Sequence, residues 1–223
     1  MEPGGTARRS CAGRWCKRVG LGLGGYLLVG NLMLLGASVA LQVAGPEGER
    51  PVEAAGIDHL RVVDERLWRG GAPTQEGYEA LAANGVTTIV DLRAAATPAE
   101  LEAPRELGFE VFHLPVHDGQ TPSSALVQEL VDIVDNSEGR VFIHCQAGVG
   151  RTGSMSAAYQ VWMGENSTAG ALVENMSIGP PTLEQVAFTL GLESGKADEP
   201  PMPVVVASRV LDAPRQLWNT IFG

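Results

Sequence analysis

The chain has 223 residues, a net charge of −10, 44% hydrophobic residues and only 19% charged residues. This composition excludes a largely disordered protein and leaves room for one domain of ordinary size with additional segments. Residues 51–223 hold 23 of the 26 acidic residues and ten of the 16 basic residues. Such a surface repels nucleic-acid phosphates, which argues against nucleic acid as a partner.

The three cysteines, Cys11, Cys16 and Cys145, do not form the pattern of a disulfide framework. There is no CxxC pair and no cluster of cysteine and histidine. The sequence therefore predicts neither a metal site nor a bound cofactor.

The N-terminal region combines a basic segment, residues 1–18, with an uncharged run of 28 positions from Val19 to Pro46. About 20 apolar residues are enough to cross the hydrocarbon core of a bilayer. We predict a transmembrane helix over residues 19–44 and a linker over residues 45–56. A cleaved signal peptide is the alternative, because Ser38-Val39-Ala40 resembles a small-residue cleavage site.

Five basic residues precede the uncharged run, whereas Glu47, Glu49 and Arg50 follow it. This charge bias predicts a single-pass protein with a cytoplasmic N-terminus. Residues 51–223 are then expected on the extracytoplasmic side of the membrane.

Strand-like and helix-like patterns alternate after the linker. Thr74 and Gly85 are typical of a helix start and a helix end, and VTTIVDLR is typical of a strand buried on both faces. The patterns predict, in chain order, two short strands within 60–71, a helix within 74–85, a strand at 86–93, a helix within 97–108, a strand at 109–115, a helix within 122–136, a strand at 140–144, a helix from 151, and two or three helices from 167 to 192.

This order predicts an α/β fold, a single domain whose central sheet is partly parallel and flanked by helices. Ligands of such sheets bind at the carboxyl ends of the strands, where residues 144–151 are expected. Residues 194–223 are predicted to be a Pro-rich linker and an amphipathic segment. That segment either packs on the domain or lies on the membrane surface.

The stretch VFIHCQAGVGRTG, residues 141–153, contains the candidate reactive residues Cys145 and Arg151. A turn from a strand into a helix aims backbone N–H groups at one point and binds an anion of phosphate size. Arg151 can hold two phosphate oxygens at once, and the same amides stabilise a thiolate at Cys145. Gly148 and Gly150 permit positive φ and close backbone approach. The predicted phosphate-binding residues are Gln146, Ala147, Gly148, Val149, Gly150 and Arg151.

His144, Cys145, Arg151 and Thr152 match the pattern His-Cys-five residues-Arg-Ser/Thr. The chain thus resembles the cysteine-dependent protein tyrosine and dual-specificity phosphatase superfamily. The start of bacterial dual-specificity phosphatase domains is similar to residues 67–93 of this chain, LWRGGAPTQEGYEALAANGVTTIVDLR. With the predicted anchor, the resemblance implies a bacterial-type, membrane-anchored member whose phosphatase-like domain spans residues 57–193.

The resemblance implies roles for two further residues. Asp118, in HLPVHDGQTP, resembles the general acid of the family, and the alternative is a solvated Asp in a helix-entry turn; His117 is a second candidate for the acid. Gln185, in PPTLEQVAF, resembles the residue that orients the hydrolytic water, and the alternative is a surface Gln. Asp91 and Arg93 are expected to be architectural.

The implied reaction passes through a cysteinyl-phosphate on Cys145, with Thr152 assisting departure of the thiolate and His144 as a supporting residue. The loop positions between Cys145 and Arg151 are uncharged, which favours a phosphoprotein, phosphotyrosine first, as substrate. A membrane anchor keeps a phosphorylated lipid or an inositol phosphate as the alternative. A non-catalytic phosphate-binding module and a rhodanese-type sulfur transferase are the remaining alternatives.

Overall fold

The computed structural model describes residues 29–30, 32–43, 50–51 and 56–222. The strands are β1 (Arg50–Pro51), β2 (Arg61–Val62), β3 (Leu67–Gly70), β4 (Val86–Arg93), β5 (Glu110–Val116) and β6 (Arg140–His144). The helices are α1 (residues 32–43), α2 (Gln75–Ala83), α3 (Pro98–Glu106), α4 (Ser124–Asn136), α5 (Gly150–Met163), α6 (Thr168–Ile178), α7 (Leu183–Leu190) and α8 (Met202–Phe222).

One sheet joins the described strands in the order β1-β2-β3-β6-β4-β5. The neighbouring strands β3, β6, β4 and β5 are parallel to one another. At one edge of the sheet, β2 pairs antiparallel with β3 and β1 pairs antiparallel with β2. The predicted α/β fold with a partly parallel sheet is therefore confirmed. At the end of β6, His144 pairs with Gly70 of β3 on one side and with Asp91 of β4 on the other. The next residue, Cys145, leaves the sheet at its carboxyl edge.

The core lies on both faces of the sheet, because successive strand residues point to opposite faces. In β6, Val141 and Ile143 face α4 and α5, where Leu130 and Met155 are fully buried. Phe142 faces the other way and packs in the cluster that contains Leu81 of α2 and Trp68 of β3. Burial on both faces explains the continuous apolar run in β6.

Five helices begin at a Ser or Thr whose side chain accepts a hydrogen bond from the third helical amide. The cap at Thr74 confirms the helix start predicted there. Helix α5 differs, because its N-cap is Val149 and makes no side-chain cap. The first amides of α5 are thus left available for a ligand. The five capping residues are Thr74, Thr97, Ser123, Ser167 and Thr182.

The predicted transmembrane helix, residues 19–44, lies partly outside the described residues. Within the described part of the chain, no helix is both long enough and apolar enough to span a bilayer. Helix α1 packs on the domain: Ser38 is buried and its Oγ donates to Met176 O of α6 at 2.5 Å. The predicted basic segment, residues 1–18, lies outside the described residues.

The C-terminal segment packs on the domain. The predicted linker is tied to α4, since Ser124 Oγ both donates to Ala197 O and accepts from Ala197 N. Helix α8 follows and buries Val205 and Ser208. The helix continues past Pro214, at which the apolar pattern in the sequence is interrupted.

Arg93, at the end of β4, joins the sheet to α3. Its guanidinium pairs with Asp91 and Glu100, each at 2.7 Å. Glu100 also accepts from the backbone and the side chain of Thr97, which completes a capping box. These hydrogen bonds from Thr97, together with Arg93, lower the pKa of Glu100 from 4.5 to about 2.

We predict that Glu100→Gln lowers the free energy of unfolding at neutral pH. A carboxylate whose pKa is depressed in the folded state stabilises that state above the pKa of the unfolded chain, and the stabilisation is lost as the pH falls through the folded value. The difference from wild type should therefore narrow below pH 4.5 and vanish near pH 2. Urea denaturation across this range measures it. Glu102→Gln, in an exposed pair with Arg105, is the matched control and should change stability little at any pH.

Candidate active site

Cys145 lies at the base of an open cavity at the carboxyl edge of the sheet. Its residue exposure is 3%, and the cavity has a volume of about 260 Å³. The walls are formed by the loop that follows Cys145, by Asp118, and by Pro180 and Gln185. The structure therefore brings the predicted nucleophile, acid and glutamine to one cavity.

Arg69 of β3 holds the second half of this loop through the carbonyl groups of residues 148 and 149. Its side chain is fully buried, and Nη2 donates to Gly148 O at 3.1 Å and to Val149 O at 3.5 Å. Nη1 donates to Asn175 Oδ1 at 2.7 Å, and Asn175 Nδ2 donates to Gly153 O at 2.9 Å. One buried network thus joins β3, the loop, α5 and α6.

Residues 146 and 147 of the loop are held by two residues that lie just after β3 and just before β2. Ala72 N donates to Gln146 O at 3.1 Å, and His59 Nδ1 donates to Ala147 O at 2.9 Å. In a trans peptide the C=O and the following N–H point in opposite directions. Because the carbonyls of residues 146–149 are all bound outside the loop, the N–H groups of residues 147–150 point inward. The loop is therefore a concave array of donors next to Cys145.

Two glycines allow this shape, for different reasons. Gly148 has φ +73°, and a Cβ there would lie 2.4 Å from Gly71 N. Gly150 is the first residue of α5, and a Cβ there would lie 2.7 Å from Gln185 Nε2. The expected positive φ is found at Gly148, whereas Gly150 has an ordinary φ and lets the amide of Gln185 approach the start of α5.

Arg151 and Thr152 occupy the first turn of α5 and are both buried. Arg151 Nη1 donates to Val116 O at 3.5 Å, and Nη2 lies 3.5 Å from Asp118 Oδ1. Among the described residues, neither Arg151 Nε nor Thr152 Oγ1 has a hydrogen-bond partner. Buried polar groups of this kind indicate a site for a polar ligand.

Asp118 lies at the mouth of the cavity, and its side chain is 49% exposed. It occupies a turn in which Gln120 N donates to His117 O at 3.1 Å and Gly119 has φ +77°. We name residues 117–123, which contain the predicted general acid, the acid loop. His117 and Asp118 are both exposed to solvent. Of the two, the Asp118 carboxylate lies next to Arg151.

Gln185 is a buried residue of the cavity wall and not a surface residue of α7. Its Oε1 accepts from Thr182 N at 3.0 Å, and its Nε2 donates to Gln120 O at 3.3 Å. Thr182 Oγ1 donates to Gly119 O at 3.1 Å. The start of α7 therefore holds the acid loop in place.

His144 supports the site from the sheet. Its ring is buried, Nδ1 donates to Cys145 O at 3.1 Å, and Nε2 lies 3.9 Å from Asp91 Oδ2. Burial lowers the pKa of His144, and the nearby carboxylate of Asp91 opposes that shift. Asp91 and Arg93 pair with each other outside the cavity, as expected of architectural residues.

The comparisons with known proteins agree with this geometry. A family model described as "DSP-PTPase phosphatase fused to NAD+ Kinase" matches residues 52–194, which include Cys145 and Arg151. The chain belongs to this family. It therefore carries a phosphatase domain of the dual-specificity and tyrosine phosphatase type.

Curated relatives match this domain over short stretches. Mouse dual specificity protein phosphatase CDC14A is 42% identical over 76 residues, which are 34% of this chain and 12% of the relative. The probable chloroplastic NAD kinase 2 of Oryza sativa subsp. japonica is 36% identical over 113 residues, 48% of this chain and 11% of the relative. The chain thus spans about a tenth of the length of these relatives.

A solved structure supports the fold. PTPMT1 in complex with PI(5)P matches with a TM-score of 0.50 and 20% identity, covering 60% of this chain and 93% of that one.

Within the described part of the chain, no group of three or more His, Cys, Asp or Glu side chains is arranged to hold a metal ion.

Sequence reasoning missed the residues that hold the loop from outside. Arg69 left a signal, because a charged residue inside the apolar strand LWRG must find buried partners. Asn175 and His59 left none, since a polar residue in a helix or a turn is ordinary.

We predict that Arg69→Lys weakens binding of inorganic phosphate, measured as a competitive inhibitor, by about tenfold to a hundredfold, because a Lys cannot bind Gly148 O, Val149 O and Asn175 together. Arg66→Lys is the matched control. Arg66 also binds carbonyls, including Ser137 O, but lies before β3 at the opposite edge of the sheet. A fall in melting temperature with unchanged phosphate affinity would contradict the prediction.

Proposed function

We propose that this chain hydrolyses phosphate monoesters through a cysteinyl-phosphate on Cys145 and that its substrates are phosphoproteins, with phosphotyrosine preferred. The observation that carries the proposal is the position of a buried thiol beside inward N–H groups and an arginine of the same loop. A nucleophile and an anion cradle are thereby joined in one rigid element.

In the first step, the Cys145 thiolate attacks phosphorus and a P–S bond forms as the P–O bond to the leaving group breaks. Arg151 and the amides of residues 147–150 bind the other phosphate oxygens and balance their charge. Asp118 protonates the departing oxygen. Its place at the cavity mouth, above the buried thiol, supports this role.

In the second step, water attacks the cysteinyl-phosphate, Asp118 accepts a proton from that water, and the thiolate leaves with inorganic phosphate as product. The free Oγ1 of Thr152 supports a hydrogen bond to the leaving sulfur. The amide of Gln185 lines the cavity and supports orientation of the water. Arginine and backbone amides supply the positive charge, so the proposed reaction uses no metal ion.

The charge of the cavity supports a substrate with a single phosphate. Arg151 is the cation of its wall, and Gln146, Ala147, Val149 and Pro180 are uncharged. A polyphosphorylated inositol would need further cations. The buried thiol favours the long phosphotyrosine side chain over phosphoserine, whose phosphate lies closer to the peptide backbone.

The test measures phosphate release from p-nitrophenyl phosphate, a phosphotyrosine peptide, a phosphoserine peptide and a phosphoinositide, with chelator present. Cys145→Ser should abolish turnover, and Asp118→Asn should lower kcat by about 10²- to 10⁴-fold on the phosphotyrosine peptide, because general acid catalysis is lost. His117→Ala is the matched control from the same turn and should keep activity near wild type.

Four results would contradict this proposal. Activity that survives Cys145→Ser would assign a different nucleophile. Preference for the phosphoinositide would favour a lipid substrate. Binding of the phosphotyrosine peptide without turnover by reduced wild-type protein would make the chain a phosphate-binding module, and faster turnover of thiosulfate would favour a sulfur transferase.

We also propose that residues 19–44 anchor the chain in a membrane, with the N-terminus cytoplasmic and the phosphatase domain extracytoplasmic. In that state α1 leaves its contact with Met176 of α6 and enters the bilayer. The uncharged run of 28 positions and the five basic residues before it support this. The full chain should stay in the membrane pellet after alkaline carbonate washing, and protease added to intact cells should remove the domain. Extraction by carbonate would contradict the anchor, and an N-terminus after Ala40 would indicate signal-peptide cleavage instead.

A further inference from the structure

We propose that α8 is a positioning element for the general acid: Ser208 and Arg209 hold the start of α7, and α7 holds the acid loop with Asp118 over the cavity. This inference rests on the proposed function, and it concerns a helix that lies beyond the family match at residues 52–194.

Two side chains of α8 form polar bonds with one residue of α7, Glu184. Ser208 Oγ accepts a hydrogen bond from Glu184 N at 3.1 Å, and both residues are 3% exposed. Arg209 Nε lies 3.3 Å from Glu184 Oε2 and Nη2 lies 3.5 Å from Oε1. The Glu184 amide is one of the amides at the start of α7 that have no acceptor within the helix. A side chain of α8 therefore completes the N-terminal cap of α7 and fixes its position.

The residues that grip the acid loop lie on either side of Glu184. Thr182 donates to Gly119 O, and Gln185 donates to Gln120 O. These two carbonyls directly follow Asp118 in the chain. A shift of the start of α7 therefore shifts the carboxylate. Residues 146–150, which we name the phosphate loop, keep their own anchor on Arg69 of β3.

The acid loop has an open space on the side that faces α8. A second cavity of about 290 Å³ lies between residues 120–123 of this loop and α8, where Met202 and Val205 form part of the wall. A loop with an open space behind it depends on its hydrogen bonds for its position. Loss of the α8 contact is thus expected to reach Asp118 before it reaches the thiol or Arg151.

The test is the dependence of kcat/KM on the leaving group, measured on the full chain. Phenyl phosphate releases a phenol whose pKa is similar to the ~10 of tyrosine and needs protonation. p-Nitrophenyl phosphate releases a more acidic phenol that leaves without much help. Ser208→Ala and Arg209→Gln should each lower kcat/KM on phenyl phosphate by about fivefold to tenfold, a part of what general acid catalysis supplies. The value on p-nitrophenyl phosphate should stay within about twofold.

Inhibition by inorganic phosphate should stay unchanged in both variants, because the bonds from Ala72, His59 and Arg69 that hold the carbonyls of residues 146–149 are kept. Val210→Ser is the matched control, since Val210 lies on the same helix and is 65% exposed. Ser208→Thr keeps a hydroxyl and should restore the wild-type ratio of the two substrates. Melting temperatures show that the compared variants are folded.

An equal fall on both substrates, or no change on either, would overturn the inference, because only a shifted acid changes their ratio. Asp118→Asn separates this outcome from failure of the proposed function. If Asp118→Asn raises the leaving-group dependence and the α8 variants do not, the phosphatase proposal stands and the role of α8 is wrong. If wild-type protein cleaves neither substrate, the proposed function itself fails.

Discussion

The outward anchoring of the loop carbonyls is the constraint on which the site depends. A loop of small residues has no shape of its own, and its N–H groups converge only because other parts of the fold bind the opposite side of each peptide. Arg69 contributes most, since one buried guanidinium binds two carbonyls of the loop and Asn175 at once. Gly148 completes the arrangement, because its φ of +73° and its contact with Gly71 admit no side chain.

The start of α5 is less stable than the starts of the capped helices, and its polar groups can bind a ligand instead. Five other helices satisfy an early amide with a Ser or Thr cap, whereas α5 begins at Val149 without one. Its early amides, Arg151 Nε and Thr152 Oγ1 are left for a ligand, and unpaired buried donors cost free energy in the empty site. A bound phosphate would satisfy them. The same donors stabilise an anion on sulfur, so the groups that recognise the substrate also prepare the nucleophile.

Much of the fold and part of the site could be predicted from the sequence. Periodicity and the cap at Thr74 indicated helices, and the apolar run of β6 placed Cys145 at the sheet edge. The anchoring residues could not be predicted, because Arg69 and Asn175 are 106 positions apart and meet only through the sheet order β3-β6 and the packing of α6 on α5. Gln185 was ambiguous for the same reason, since its burial depends on the acid loop. The contact of α1 with α6 could not be predicted either, because nothing in the uncharged run pairs Ser38 with Met176.

The most direct test of the proposed chemistry is detection of phosphate on Cys145 during turnover. Wild-type protein would be mixed with p-nitrophenyl phosphate, quenched with acid within a turnover, digested and analysed by mass spectrometry. Phosphate on the Cys145 peptide, increased in Thr152→Val because the thiolate leaves more slowly, is the predicted result. Turnover with no phosphate on Cys145, or with phosphate on another residue, would contradict the assignment of this loop as the catalytic centre.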